Sequence, residues 1–203
     1  MIAQQTGHVR RRAAALPPEE RRAAIIASTV RLLVAHGTDI TTKQIADAAR
    51  VAEGTIFRVF PDKESLIAAA IDQAFDPSPL EAQLRAIDRT LPLEPRLEVA
   101  VAILQRRYRD IGRLMVAVGR TNAPGARWGE RPRRPPPMLD ALTEVFEPDR
   151  DRLRRDPLQA ARLLRGLAFA GTHPAVVVGE DWSAAEIVSV VLDGIRARPE
   201  APC

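Results

Sequence analysis

Along most of the chain apolar residues recur three and four positions apart, and the pattern stops at Gly, Pro and capping positions rather than alternating as in strands. Leu16-Pro17-Pro18-Glu19-Glu20 opens the first helix, because Pro is tolerated in a first turn and acids suit its positive end. Ile25, Thr29, Leu32, Leu33 and His36 then follow at helical spacing, and Gly37 supplies the stop. Thr41 and Gln44 have the spacing of a capping box for a second helix with the short stripe Ile45, Ala46, Ala49. After the turn Ala49-Arg50-Val51-Ala52, a third helix is expected from Glu53 to Phe60. It turns Ile56 and Phe60 inward with Val51 and leaves Gly54, Thr55 and Arg58 outside. Pro61-Asp62 breaks the chain and caps a fourth helix through Leu66, Ile67, Ala70, Ile71 and Phe75.

Beyond it, Ser78-Pro79-Leu80-Glu81 reads as another capping box, opening a helix to about Thr90. A longer helix is expected from about Pro95 to Gly119, through Leu97, Val101, Leu104, Tyr108, Ile111 and Met115. Residues 121–137, with five prolines, Gly125 and Gly129, read as a long loop. A short helix follows from Met138 to Phe146. Asp156-Pro157 starts another to about Gly171, and Ser183 with Glu186 caps the last, which carries Ile187, Val188, Val190, Val191, Leu192 and Ile195. The last two helices are apolar on more than one face and must be covered on more than one face. A two-fold dimer joined through residues near 157–171 and 183–197 would cover both.

Composition agrees with an all-α fold. Aromatic residues make up 4% of the 203, hydrophobic ones 46% and charged ones 28%. The single cysteine, Cys203, offers neither an internal disulfide nor a zinc cluster, which fits a reducing cytoplasm. No signal peptide and no apolar run long enough for a bilayer is apparent, so no membrane partner is expected. The net charge of +4 is unevenly placed. Residues 1–63 carry ten Lys/Arg against six Asp/Glu, and residues 64–203 carry twenty of each. An excess confined to the end with the short helices is the footprint of a phosphate-facing surface. Three segments are expected: a basic arm over 1–15, a three-helix head over 16–62, and a larger helical body over 63–203.

The short helices have the form of a helix-turn-helix. The start of its first helix offers unpaired N–H groups, with Thr42 and Lys43 beside them for phosphate. On the second, Gly54 permits close backbone approach. Thr55 and Arg58 can reach base edges or phosphate, Arg58 by a bidentate pair with guanine. Phe57 can meet a thymine methyl or sugar, and Lys63 can clamp a phosphate. The run Thr41-Thr42-Lys43-Gln44-Ile45-Ala46, then Gly54-Thr55-Ile56-Phe57, Phe60 and Asp62-Lys63-Glu64-Ser65-Leu66, resembles the DNA-binding domain of TetR-type transcriptional repressors. The resemblance covers residues 19–66 by motif and the rest by length and helix order. It implies a homodimer on double-stranded palindromic operator DNA, a divergent C-terminal domain that binds a small ligand, and DNA contacts at Thr42, Lys43, Thr55, Phe57 and Lys63. The chain departs from the family pattern in three places. Arg50 stands where the turn usually has Gly and needs a positive φ or a different turn. Phe57 replaces the usual Tyr and loses a hydroxyl. Val59 replaces a commonly polar or aromatic residue.

An enzyme is not expected. His8, His36 and His173 lack metal-ligand spacing, and there is no Gly-rich phosphate loop, so neither a metal nor a cofactor is implied. For a small, largely apolar ligand the candidate lining is Phe75, Leu104, Tyr108, Met115, Phe146, Phe169 and His173. Arg106, Arg107 and Arg109 flank Tyr108 and read either as an anion site or as a wet helix face. The competing reading is a helical ligand- or partner-binding protein that keeps the head without sequence-specific DNA binding.

Overall fold

The computed structural model describes residues 17–119, 138–173, 176–177 and 179–195. The basic arm over 1–15 and the proline-rich 121–137 segment therefore lie outside the described residues. Nine α-helices follow one another among the described residues: α1 (Pro18–His36), α2 (Thr42–Ala49), α3 (Glu53–Val59), α4 (Lys63–Phe75), α5 (Ser78–Arg85), α6 (Leu93–Gly119), α7 (Met138–Phe146), α8 (Pro157–Ala170) and α9 (Ala184–Ile195). A 3₁₀ turn over Glu147–Arg152, absent from the sequence reading, links α7 to α8.

The helix ends of the head are set locally. Gly37 closes α1 at φ +68°, and its N–H donates to the Leu33 carbonyl. Thr41 and Gln44 form both halves of their capping box, at 3.1 and 2.7 Å. Arg50 does adopt the left-handed conformation, φ 55° and ψ 42°, at the end of α2. Phe60 leaves α3 in extended backbone, as a residue before Pro must. Asp62 caps α4 by accepting the Ser65 N–H at 2.7 Å, and hydrogen bonds from Ser65 hold its carboxyl below the usual range.

Two readings of the body are corrected. Ser78 is not a cap: α5 begins at Ser78 itself, and the Ser78 N–H and hydroxyl both donate to Asp76, at 3.0 and 2.7 Å. The helix stops at Arg85 rather than near Thr90. The guanidinium of Arg89 donates to the Leu84 and Ile87 carbonyls, and that of Arg96 to the Arg89 and Leu91 carbonyls, so side chains take backbone acceptors around the turn. Asp88 finishes the turn by accepting from Thr90.

Two hydrophobic cores result. The head core gathers Ile25, Leu33, Ile40, Ile45, Ile56, Phe60 and Leu66, together with Leu114 and Val118 from the far half of α6. The body core gathers Leu97, Val101 and Leu104 from the near half of α6 with apolar faces of α5, α7, α8 and α9. At 27 residues, α6 spans roughly 40 Å and, among the described residues, is the one helix rooted in both. Deep in the body, Arg96 is 2% exposed and pairs with Asp149, which Arg152 also reaches at 2.8 Å. The Nε of Arg96 is buried without a partner among the described residues.

Candidate DNA-reading head and the cleft behind it

On α3, Ile56 is fully buried and Phe60 nearly so. That anchoring turns Gly54, Phe57 and Arg58, spaced i, i+3 and i+4, onto one outward face. Phe57 is 52% exposed, so it packs against no neighbouring helix in the way a core aromatic does. A Cβ at Gly54 would meet nothing within 4 Å, which leaves that stretch of backbone open to approach. Thr55 is half-buried, and its N–H is taken by the Ala52 carbonyl at 2.8 Å. Behind the face, the Arg22 guanidinium lies 4.5 Å from the Phe60 ring centre, a cation–π contact that ties α1 to the end of α3.

Lys43 is exposed at the start of α2. Thr42 and Lys63 already have partners. The Thr42 hydroxyl donates to the carboxylate of Glu53, the first residue of α3, and the Lys63 ammonium donates to the Thr38 carbonyl at 3.1 Å. Glu53 was read from sequence only as a helix start; its role as a partner of Thr42, eleven residues away, follows from the packing of α2 on α3. One ammonium hydrogen bond leaves Lys63 two further donors.

The ligand candidates are dispersed. Leu104 and Phe146 are fully buried in the body core, and Phe75 packs at the edge of the head core. Met115 is half-buried on α6. Tyr108 and His173 do come together, on a cleft of about 650 Å³ between the end of α1, the far half of α6 and the segment after α8. Phe169, 44% exposed, stacks edge-on against Tyr108 at 5.4 Å and lies 4.8 Å from the His173 ring. Burial pushes the Tyr108 phenol up, against a smaller opposing pull from Arg165, so the ring enters the cleft as a neutral donor. Val34, His36, Gly37 and Asp39 complete the head side of the cleft, and Arg109, Arg113 and Val116 its α6 side.

The arginines around Tyr108 do three different things. Arg106 is exposed. Arg107 is half-buried and donates to the Asp76 carbonyl at 2.8 Å; burial pulls its guanidinium down, while Asp76 acts the other way. Arg109 faces Asp181 at 3.6 Å. The segment carrying Asp181 is itself fixed, since Gln105 donates to the Trp182 carbonyl at 2.6 Å and the Trp182 N–H to the Gly171 carbonyl at 2.9 Å. Elsewhere on the body, α8 and α9 leave Leu158, Leu163 and Val190 exposed. Among the described residues no group of three His, Cys, Asp or Glu could hold a metal ion, and no helix is long and apolar enough to cross a membrane.

The model of the family described as "Bacterial regulatory proteins, tetR family" matches residues 25–70, the span from the middle of α1 to the middle of α4. No curated protein matches the chain. Among solved structures the chain is similar to one described as a TetR-family transcriptional regulator of Mesorhizobium loti MAFF303099. The identity is 20% and the TM-score 0.59, over 90% of this chain and all of the other. It is similar also to a TetR transcriptional regulator from Streptomyces coelicolor, with 23% identity and TM-score 0.51 over 89% and 99% of the two chains. A third is SmeT in complex with triclosan, with 18% identity and TM-score 0.51 over 88% and 92%. These identities speak for a shared fold, and the head adds the family's own sequence pattern. Residues 25–70 thus carry the sequence pattern of the tetR family of bacterial regulatory proteins, and the helical body behind them shares its fold with solved TetR-family structures.

Proposed function

We propose that the protein is a ligand-responsive transcriptional repressor, without enzymatic activity, that binds a palindromic operator as a homodimer in the cytoplasm. The observation that carries this reading is the outward face of α3. Gly54, Phe57 and Arg58 stand uncovered on a helix anchored by Ile56 and Phe60, beside the α2 start with Thr42 and Lys43. A recognition helix needs that division between a buried anchor and a free face. The basic excess of residues 1–63 supplies the attraction to phosphate.

Leu163 on α8 and Val190 on α9 are 50% and 57% exposed, and they support a dimer in which these two helices pair with their copies. Two heads held by such a dimer would reach successive major grooves, with half-sites about one turn, ~34 Å, apart. A ligand that favours another spacing of the heads would release the DNA by shifting the population. SmeT, which shares the fold, is solved with triclosan, and a small, largely apolar ligand is the corresponding expectation here.

The test uses a duplex selected by the protein itself. Arg58→Ala should cost about 1–3 kcal/mol on that duplex and far less on random DNA, whereas Lys63→Ala should weaken both and flatten the salt dependence. Equal losses on both duplexes from both changes contradict the assignment. The second reading, a helical binding protein that keeps the head without reading sequence, draws support from the internal bonds of two contact candidates, Thr42 with Glu53 and Lys63 with Thr38.

A further inference from the structure

We propose that the cleft between α1 and α6 is the effector site, and that its ligand is a flat aromatic molecule carrying one anionic group. As a control of DNA binding this rests on the regulator reading; as a binding site it stands alone.

The volume, about 650 Å³, lies within the range of small-molecule sites. One wall is aromatic: Tyr108 and His173, both backed by Phe169, offer ring faces and edges to a planar guest. The adjoining wall is cationic: Arg109 and Arg113, one turn apart on α6, flank Gly112, whose missing side chain leaves open space. Asp181 already engages Arg109. Arg113 is exposed and has no ion pair among the described residues, which leaves its planar fork for a carboxylate, sulfonate or phosphate. The other lining charges do not reverse this preference. Asp39 and Asp181 balance the two arginines, so the charged groups lining the cleft leave it without a net negative charge. The helix ends beside it are not open carbonyl arrays either. The Leu33 carbonyl takes the Gly37 N–H, and the Phe169 carbonyl takes those of Thr172 and His173.

The position gives the ligand leverage. Its head side is the end of α1 and the loop after it, and its body side is α6 and the segment after α8. Beside the cleft, the backbones of the α1 end and of α6 nearly touch, since a Cβ on Gly37 would stand 3.1 Å from the Ala117 carbonyl oxygen. The same loop carries the Thr38 carbonyl that Lys63 holds at the start of α4. A guest that pushes α1 from α6 therefore moves the loop on which both ends of the head hang. It contacts the two sides at once, so a change in their spacing changes its contacts, and a resulting difference in affinity is the condition for shifting the head.

The experiment titrates the full chain by calorimetry with three probes of one shape: 1-naphthoate, 1-naphthamide and 1-naphthylmethylammonium. Naphthoate should bind at one site per chain, at least about tenfold tighter than either analogue. Arg113→Gln should erase that preference while leaving the amide unchanged. Val116→Trp, at a position 58% exposed and so tolerant of a larger ring, should block all three without lowering the melting temperature. Naphthoate should also release the selected duplex from the unaltered protein but not from the Val116→Trp variant. Equal binding of acid and amide, tighter binding of the ammonium, no binding of any probe at millimolar concentration, or naphthoate affinity untouched by both substitutions would overturn the proposal. If the protein selects no duplex yet binds naphthoate through Arg113, the regulator reading fails and the site remains.

Discussion

The head and the body of this protein are held by different kinds of interaction. In the head, short helices are delimited one residue at a time: Thr41 with Gln44, the left-handed Arg50, the extended Phe60 before Pro61, and Asp62 with Ser65. Each of these devices acts over a few positions, and the longer ties between the short helices, Thr42 with Glu53 and Lys63 with Thr38, stay within the head. In the body, long helices pack through broad apolar faces, and the polar elements that fix them join residues far apart. Asp149 meets Arg96, Gln105 meets Trp182, and Arg107 meets Asp76. A head built from local devices keeps its presenting face when the body changes, whereas a body built from long-range ties can be altered at one point and respond as a whole. That contrast suits a rigid head attached to a more responsive body, with α6 in both.

The largest effect should come from the body's buried pair. Asp149→Ala leaves the buried Arg96 guanidinium without its carboxylate and should cost about 3–5 kcal/mol in urea unfolding. The exposed pair of Glu147 with Arg150 is the control, and Glu147→Ala should cost no more than about 1 kcal/mol. Similar costs for the two would mean that the body is not held by its distant ties. Next, Leu163→Glu combined with Val190→Glu places charge on the exposed apolar face of α8 and α9 and should turn a dimer into monomers in sedimentation, with the folded helix content unchanged. A species that stays dimeric after both changes would move the pairing surface elsewhere.

The smallest effect sharpens the head's side of the contrast. The Asp62 carboxyl is held low by its bonds from Ser65, so the folded state favours its charged form. Its stabilising contribution is complete above the ordinary carboxylate range and disappears as pH falls through the lowered value. Asp62→Ala should therefore lower the melting temperature at neutral pH and converge with the unaltered protein in acid. A difference that persists undiminished in acid would assign the effect to something other than the cap.

The same contrast decides what the sequence could reveal. Helix order and the outward face of α3 follow from periodicity, and the boxes at Thr41 and Ser183 from three-residue spacings, because those forces are local. Ser78 has the same spacing but stands one residue inside α5, where its N–H and hydroxyl both donate to Asp76 two residues earlier. Arg89 and Arg96 shorten α5 through carbonyls that no spacing rule indicates. The cleft lies further beyond reach. Tyr108 and His173 were visible as candidates, but Val34, Gly37 and Asp39 join them only because α1 lies on the far half of α6. Leu104 and Phe146 have the same apolar, helically spaced signature as a pocket wall, and close packing makes them core.

Whether this head reads DNA sequence as one half of a dimer is decided by selection with the 203-residue protein on random duplex DNA. An enriched palindrome is expected, with half-site centres about one helical turn, ~10 base pairs, apart. Recovery of unenriched sequence, with binding that depends on salt alone, would contradict it.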